Sequence, residues 1–134
     1  VADYFAKKGF VVVLVPDYED FLNGFVWSSL GLRFEVSASL DIEHRVGIAQ
    51  AATINLTWNG GFTQPLHFSD SKFLETGHYI KENLVTSLEY FERKGPEYGV
   101  QPNWLEPYQV YDWTEKSELN AEILIEKLEL ILKQ

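Results

Sequence analysis

The chain has no cysteine, few cations and no long apolar run, and each absence removes a class of protein. Without cysteine there is no disulfide framework, no thiol nucleophile and no cysteine-based zinc site, a composition that fits the cytoplasm best. No apolar stretch approaches the length that spans a bilayer, and the first residues lack the basic-then-apolar order of a signal peptide. Only 11 basic residues stand against 20 acidic ones, a formal charge of −9. A surface of that sign repels phosphate backbones unless its cations are concentrated. Lys7-Lys8 and Arg93-Lys94 are the basic pairs, so no nucleic-acid partner is expected. A small anion held by backbone N–H groups stays open.

What is present is a core. With 46% apolar and 15% aromatic residues in 134, the chain is too rich in core formers for disorder, and its length fits one domain that needs no staple.

The pattern alternates between helical and extended periods. Val1, Ala2, Phe5 and Ala6 share a helical face that ends at Lys7, Lys8 and Gly9. Residues 10–15 form an unbroken β-branched run closed by Pro16-Asp17, as in a strand buried on both faces of a parallel sheet, and residues 17–20 read as its loop. A short strand is expected within residues 32–36. Asp41 caps a helix over residues 42–52, residues 53–57 form a second buried strand, and Asn59-Gly60-Gly61-Phe62-Thr63 leads from it into a helix. Residues 72–75 read as a strand, residues 84–94 as a helix stopped by Gly95-Pro96, and residues 109–113 as the last strand. Residues 117–134 form a long helix with the apolar stripe Ala121, Leu124, Ile125, Leu128, Ile131 and Leu132. Such alternation predicts βαβ crossovers: an α/β, Rossmann-like three-layer sandwich with a mainly parallel sheet, residues 10–15 and 54–57 lying parallel within it.

In that architecture ligands bind beyond the carboxyl ends of the strands. Two loops qualify, one at Asp17 and one at Asn59-Gly60-Gly61. The second is the better, because paired glycines let a backbone approach closely and a following helix aims free N–H groups at an anion; the same tripeptide also serves an ordinary tight turn. The order of Asp41 to Arg45, an Ala-rich helix, a buried strand, Asn59-Gly60-Gly61 and a new helix resembles the C-terminal nucleotide-binding half of GT-B-type glycosyltransferases. The helix-Gly9-strand-Pro16-Asp17 opening and the closing strand and helix are similar to that half as well. The resemblance implies a nucleotide sugar as partner, with its donor phosphates or sugar near Asn59, Gly60, Gly61 and Thr63 and a further contact at Asp17. It implies no cofactor and no metal. The acceptor-binding half with its catalytic base is absent, so catalysis would require a second domain.

Trp58, beside the glycine loop, is the aromatic assigned to the ligand; Trp104, Trp113, Tyr108 and Tyr111 are assigned to packing. His67 is placed near bound phosphate. His44, His67, His78 and Asp70 match no compact metal-ligand spacing, and Arg45 is expected to pair with Asp41. An uncapped helix at Val1 implies a missing upstream strand, a partner domain or a homo-oligomer. Two other readings compete: a non-catalytic α/β protein-interaction module with an acidic, aromatic-rich face, and a small flavodoxin-like or nucleotide-sensing domain.

Overall fold

A computed structural model describes residues 1–22, 33–81, 83, 86–93 and 97–134. They fall into two compact units, Val1–Ala51 and Ala52–Gln134.

In the first unit, α1 (Ala2–Lys7) opens without a side-chain cap and stops at Gly9, whose φ of 92° is easy only for glycine. Phe5 is buried on this helix and meets Phe10 edge-to-face at 5.6 Å. The strand that follows is short: β1 (Val13–Leu14) pairs in parallel with β2 (Arg33–Phe34). Residue 32, expected in that second strand, and residues 23–31 lie outside the described residues. The run at residues 10–15 is not buried on both faces, for Val11 is exposed and Val13 and Leu14 are half-buried. Nor is Tyr18 in a loop; α2 (Tyr18–Leu22) begins there.

Asp41 caps α3 (Ile42–Ala51) as expected, its Oδ1 accepting from the amides of Glu43 at 2.9 Å and His44 at 3.1 Å. Arg45 reaches away from that cap. Its Nη2 donates to the carbonyl of Pro16 at 2.6 Å, which also accepts from the Ser39 hydroxyl at 2.7 Å. Two side chains thus hold the exit of β1.

The second unit is built on β3 (Asn55–Trp58), β4 (Phe73–Thr76) and β5 (Gln109–Tyr111), all parallel, in the order β3-β4-β5. The fold is α/β with a small open parallel sheet of these three strands, and no helix among the described residues is long and apolar enough to cross a membrane. Residues 10–15 and 54–57 were expected in one sheet; the ladders put β1 and β3 in different ones. In β3, burial alternates, with Leu56 and Trp58 exposed, so this strand too is not buried on both faces.

β4 is central and buried at every position. The open edge of β5 is closed by a side chain. Gln101 accepts from the Tyr111 N–H at 2.8 Å and donates to the Tyr111 carbonyl at 2.6 Å, mimicking a neighbouring strand.

The segment after the glycine loop, Gly61–Phe68, is 3-10 rather than α-helical. Pro65 has no N–H to give to a carbonyl four residues back, which disfavours an α-helix. Gln109 Nε2 ties this segment to β5 by donating to the carbonyls of Ser69 at 2.6 Å and Leu66 at 3.2 Å. A further helix, α4 (Leu88–Arg93), is shorter than expected; its Gly95-Pro96 stop lies outside the described residues.

The long closing helix is interrupted. A 3-10 turn at Lys116–Glu118 precedes α5 (Ala121–Leu132), because Asn120 takes the cap: its Oδ1 accepts from the amides of Glu122 at 3.0 Å and Ile123 at 3.1 Å. Leu128 and Ile131 of the expected stripe are buried, and α5 packs on β4. Asn120→Ala should lower unfolding free energy by about 1 kcal/mol in urea titration, the usual cost of losing such a cap.

Candidate functional site

Three parallel strands end at one edge of the sheet, so the segments 59–61, 77–79 and 112–114 all leave from that edge. One residue before the end of the central strand lies Glu75, whose side chain has no exposed surface. A buried carboxyl must be satisfied from inside, and three groups do this. His67 Nε2 stands 2.6 Å from Oε2, the Thr63 hydroxyl 2.8 Å from Oε1, and the Gly60 N–H also favours the carboxylate.

Burial nevertheless dominates and holds the Glu75 carboxyl above its usual range, against the opposing pull of His67, Thr63 and Gly60. The hydrogen bonds are consistent with that direction. Thr63 has one hydroxyl proton and two acceptors, the Gly60 carbonyl at 2.7 Å and Glu75. A protonated Glu75 satisfies both, donating to Thr63 while Thr63 donates to Gly60. On the other side, an imidazole protonated at Nε2 donates to Glu75 and accepts at Nδ1 from the Tyr111 hydroxyl, 3.2 Å away.

His78 approaches the other carboxyl oxygen of Glu75. Its ring stacks on Tyr111 with centroids 3.9 Å apart, and its Nε2 is buried, 3.6 Å from Glu75 Oε1 and without a hydrogen bond. Burial lowers its pKa to about 4, reinforced by nearby His67 and opposed by Asp112.

Just past β5, Asp112 is also buried. Its Oδ1 accepts from the Thr114 amide at 3.0 Å, from the Thr114 hydroxyl at 2.7 Å and from the Lys127 ammonium of α5, while its Oδ2 meets no partner. Asp112, Lys127, Tyr79, Tyr98 and Trp113 line a cleft of about 1000 Å³.

The seven residues expected to bind ligand divide into four groups. Gly60, Thr63 and His67 are brought together, but around Glu75, with Thr63 and His67 buried. Asn59 extends the β3–β4 ladder by donating to the Thr76 carbonyl at 2.7 Å, and Trp58 covers Gly77, where a Cβ would fall 2.4 Å from the indole. Gly61 has open space where its Cβ would be. Asp17 belongs to the first unit, where its charge supports the Arg45 cation.

Glu75, Tyr111, His78, Asp112 and Lys127 were missed as a group. The available signal was Glu75 itself, an acid inside the apolar Phe73-Leu74-Glu75-Thr76 run, since a carboxyl at a core position demands partners. Among the described residues no group of three or more His, Asp or Glu side chains is arranged to hold a metal ion.

In comparisons with known proteins, no family model, curated protein or solved structure matches the chain.

The neutral state of His78 has a measurable signature. With a folded pKa of about 4 against an ordinary 6.5, the unfolded chain takes up this proton first as pH falls. The stability contributed by His78 is therefore complete above pH 6.5 and is lost between 6.5 and 4. Glu75 has the opposite sign: its raised pKa contributes stability at low pH that is lost as pH rises through the folded value. The stability difference between wild type and His78→Phe, which keeps a ring on Tyr111, should change by on the order of 3 kcal/mol as pH falls through this window, wild type alone losing stability in urea titrations. Parallel pH profiles for the two proteins would refute the assignment.

Proposed function

We propose that this chain carries a nucleotide-sugar-binding domain of a glycosyltransferase-like protein, with the donor diphosphate approaching the loop at Asn59, Gly60 and Gly61. The observation that carries this reading is the pair of glycines that nothing among the described residues requires. Gly60 is extended at φ −177°, and neither it nor Gly61 has a positive φ. A Cβ on Gly60 would meet only the Trp58 carbonyl at an ordinary 3.8 Å, and one on Gly61 would meet nothing within 4 Å. Gly77 differs, for there both φ, at 81°, and the Trp58 ring demand glycine. Two adjacent glycines cost backbone entropy, and close approach of a ligand to the backbone is a use for them that the fold does not supply.

Their location supports the same reading. The pair follows β3 at the carboxyl edge of a parallel sheet and opens a helical segment, the position from which α/β folds contact phosphates through backbone N–H groups. The Gly60 N–H already favours the Glu75 carboxylate and the Thr63 N–H donates to the Gly60 carbonyl at 3.0 Å, so the Gly61 N–H is the group offered to a ligand. Asn59 and Thr63 frame the loop, and Trp58 and His67 support it from the strand and the helical segment. Transfer chemistry would require an acceptor-binding domain.

Gly61→Val separates function from folding, since open space surrounds the position. Thermal-shift titration with nucleoside diphosphates and nucleotide sugars should raise the melting temperature of wild type. In Gly61→Val the unliganded melting temperature should stay within a few degrees, as expected for a change of about 0.5 kcal/mol, while the ligand-induced rise disappears. Absence of any rise in wild type would favour the protein-interaction reading; a rise undiminished in Gly61→Val would move the ligand away from the loop.

A further inference from the structure

We propose that the cleft beyond β4 and β5 is a second binding element, built for an uncharged, polyhydroxylated ring such as a pyranose or furanose. It lies outside the glycine loop: none of Asn59, Gly60, Gly61 or Thr63 lines it. Its volume of about 1000 Å³ is ample for one or two sugar rings.

The walls set the ligand class. Tyr79, Tyr98 and Trp113 form a continuous aromatic surface, with Tyr98 edge-on to Tyr79 at 5.0 Å and to Trp113 at 5.5 Å. The C–H faces of a sugar pack on such rings, while its hydroxyls reach the polar rim. The fixed charges disfavour an anion. Asp112, Glu115 and Glu118 oppose Lys81 and Lys127 around the cleft, and Lys127 already spends two of its three N–H donors on Asp112 and Thr114. What remains on the cleft-lining residues is one ammonium N–H and two groups that find no partner among the described residues, the acceptor Asp112 Oδ2 and the donor Trp113 Nε1. Polar groups left unbonded in an interior carry a penalty that a ligand group can relieve. A hydroxyl, which both donates and accepts, suits this mixed set; a phosphate, which brings negative charge, does not.

The ring has two sources. It belongs either to the sugar or ribose of a nucleotide sugar, in which case the inference rests on the reading above, or to a free saccharide. Saturation-transfer NMR on the full chain distinguishes them, irradiating protein aromatic protons in the presence of free hexoses and disaccharides, nucleosides, nucleotide sugars, or inorganic phosphate as competitor. Ring C–H protons should receive saturation, phosphate should not compete, and Tyr98→Ala should weaken binding about tenfold, the loss expected for removing one stacking ring. Leu130→Arg places a bulky cation at a half-exposed lining position on α5. It should weaken binding in the same way and serves as the test should Tyr98→Ala unfold.

Saturation of free saccharides without nucleotide sugars would uphold the cleft and overturn the nucleotide-sugar reading. Saturation confined to ring protons of nucleotide sugars, and weakened by both cleft variants, would uphold both. Nucleotide binding that survives both cleft variants would overturn the cleft inference alone, as would the absence of transfer to any ring from the folded protein.

Discussion

A carboxyl with no access to water sits on the central strand of the second unit, and most of what surrounds it follows from the need to satisfy it. Glu75 draws the Thr63 hydroxyl and the His67 ring inward from the segment after β3. Tyr111, its register partner on β5, closes the far side of His67. The 3-10 segment is thus bound to the sheet by polar contacts as well as by Leu66, the buried apolar residue between Thr63 and His67. Removing any one partner would leave a buried polar group unpaired, which costs more than the bond itself contributes.

The same edge carries a second buried acid, handled differently. Asp112 is held by the backbone and hydroxyl of Thr114 and by Lys127, so its charge has a fixed cation, while Glu75 has only titratable neighbours in His67 and His78. This difference assigns the two acids different work. Asp112 anchors Lys127 at the cleft wall as a standing ion pair. Glu75 is held toward the neutral form by burial and joins hydroxyl, imidazole and phenol in a hydrogen-bonded chain. In the first unit, neutral and cationic side chains perform a comparable task on backbone: Ser39 and Arg45 together satisfy the Pro16 carbonyl where β1 ends.

Local signals were legible in the sequence where a single residue type decides the structure. Gly9 stops α1, Asp41 caps α3, and the order of strand, glycine loop and helical segment stands at β3, Asn59 to Gly61 and Gly61–Phe68. Strand extent was not legible. The runs at residues 10–15 and 53–57 were assigned to buried strands on hydrophobicity alone, yet Val11 and Leu56 are exposed, since an apolar residue can lie on the surface without penalty to its neighbours. The sheet assignment failed for a related reason: two apolar runs do not specify their pairing partners. Polar partnerships across long stretches of chain escaped as well. The bond from His67 to Tyr111 spans 44 residues, and nothing in either local pattern announces it. Arg45 likewise passed over its neighbour Asp41 for a carbonyl 29 residues away, because the cap already engaged that carboxylate.

The glycine loop and Glu75 are electrostatically one object. The Gly60 N–H and the Thr63 hydroxyl, which a loop of this type offers to an incoming anion, are turned toward an internal carboxyl. An ionised Glu75 would present negative charge directly beneath the loop and repel a diphosphate; a protonated Glu75 removes that repulsion and, by donating to Thr63, lets the hydroxyl serve the Gly60 carbonyl instead. The burial that raises the Glu75 pKa therefore favours the proposed phosphate contact as well as being a feature of the core. His78, the cation that could neutralise an ionised Glu75, is itself held toward the neutral form by burial, against the pull of Asp112. On this account the apolar packing around β4 and the chemistry proposed for the loop above it are set by one desolvated carboxyl.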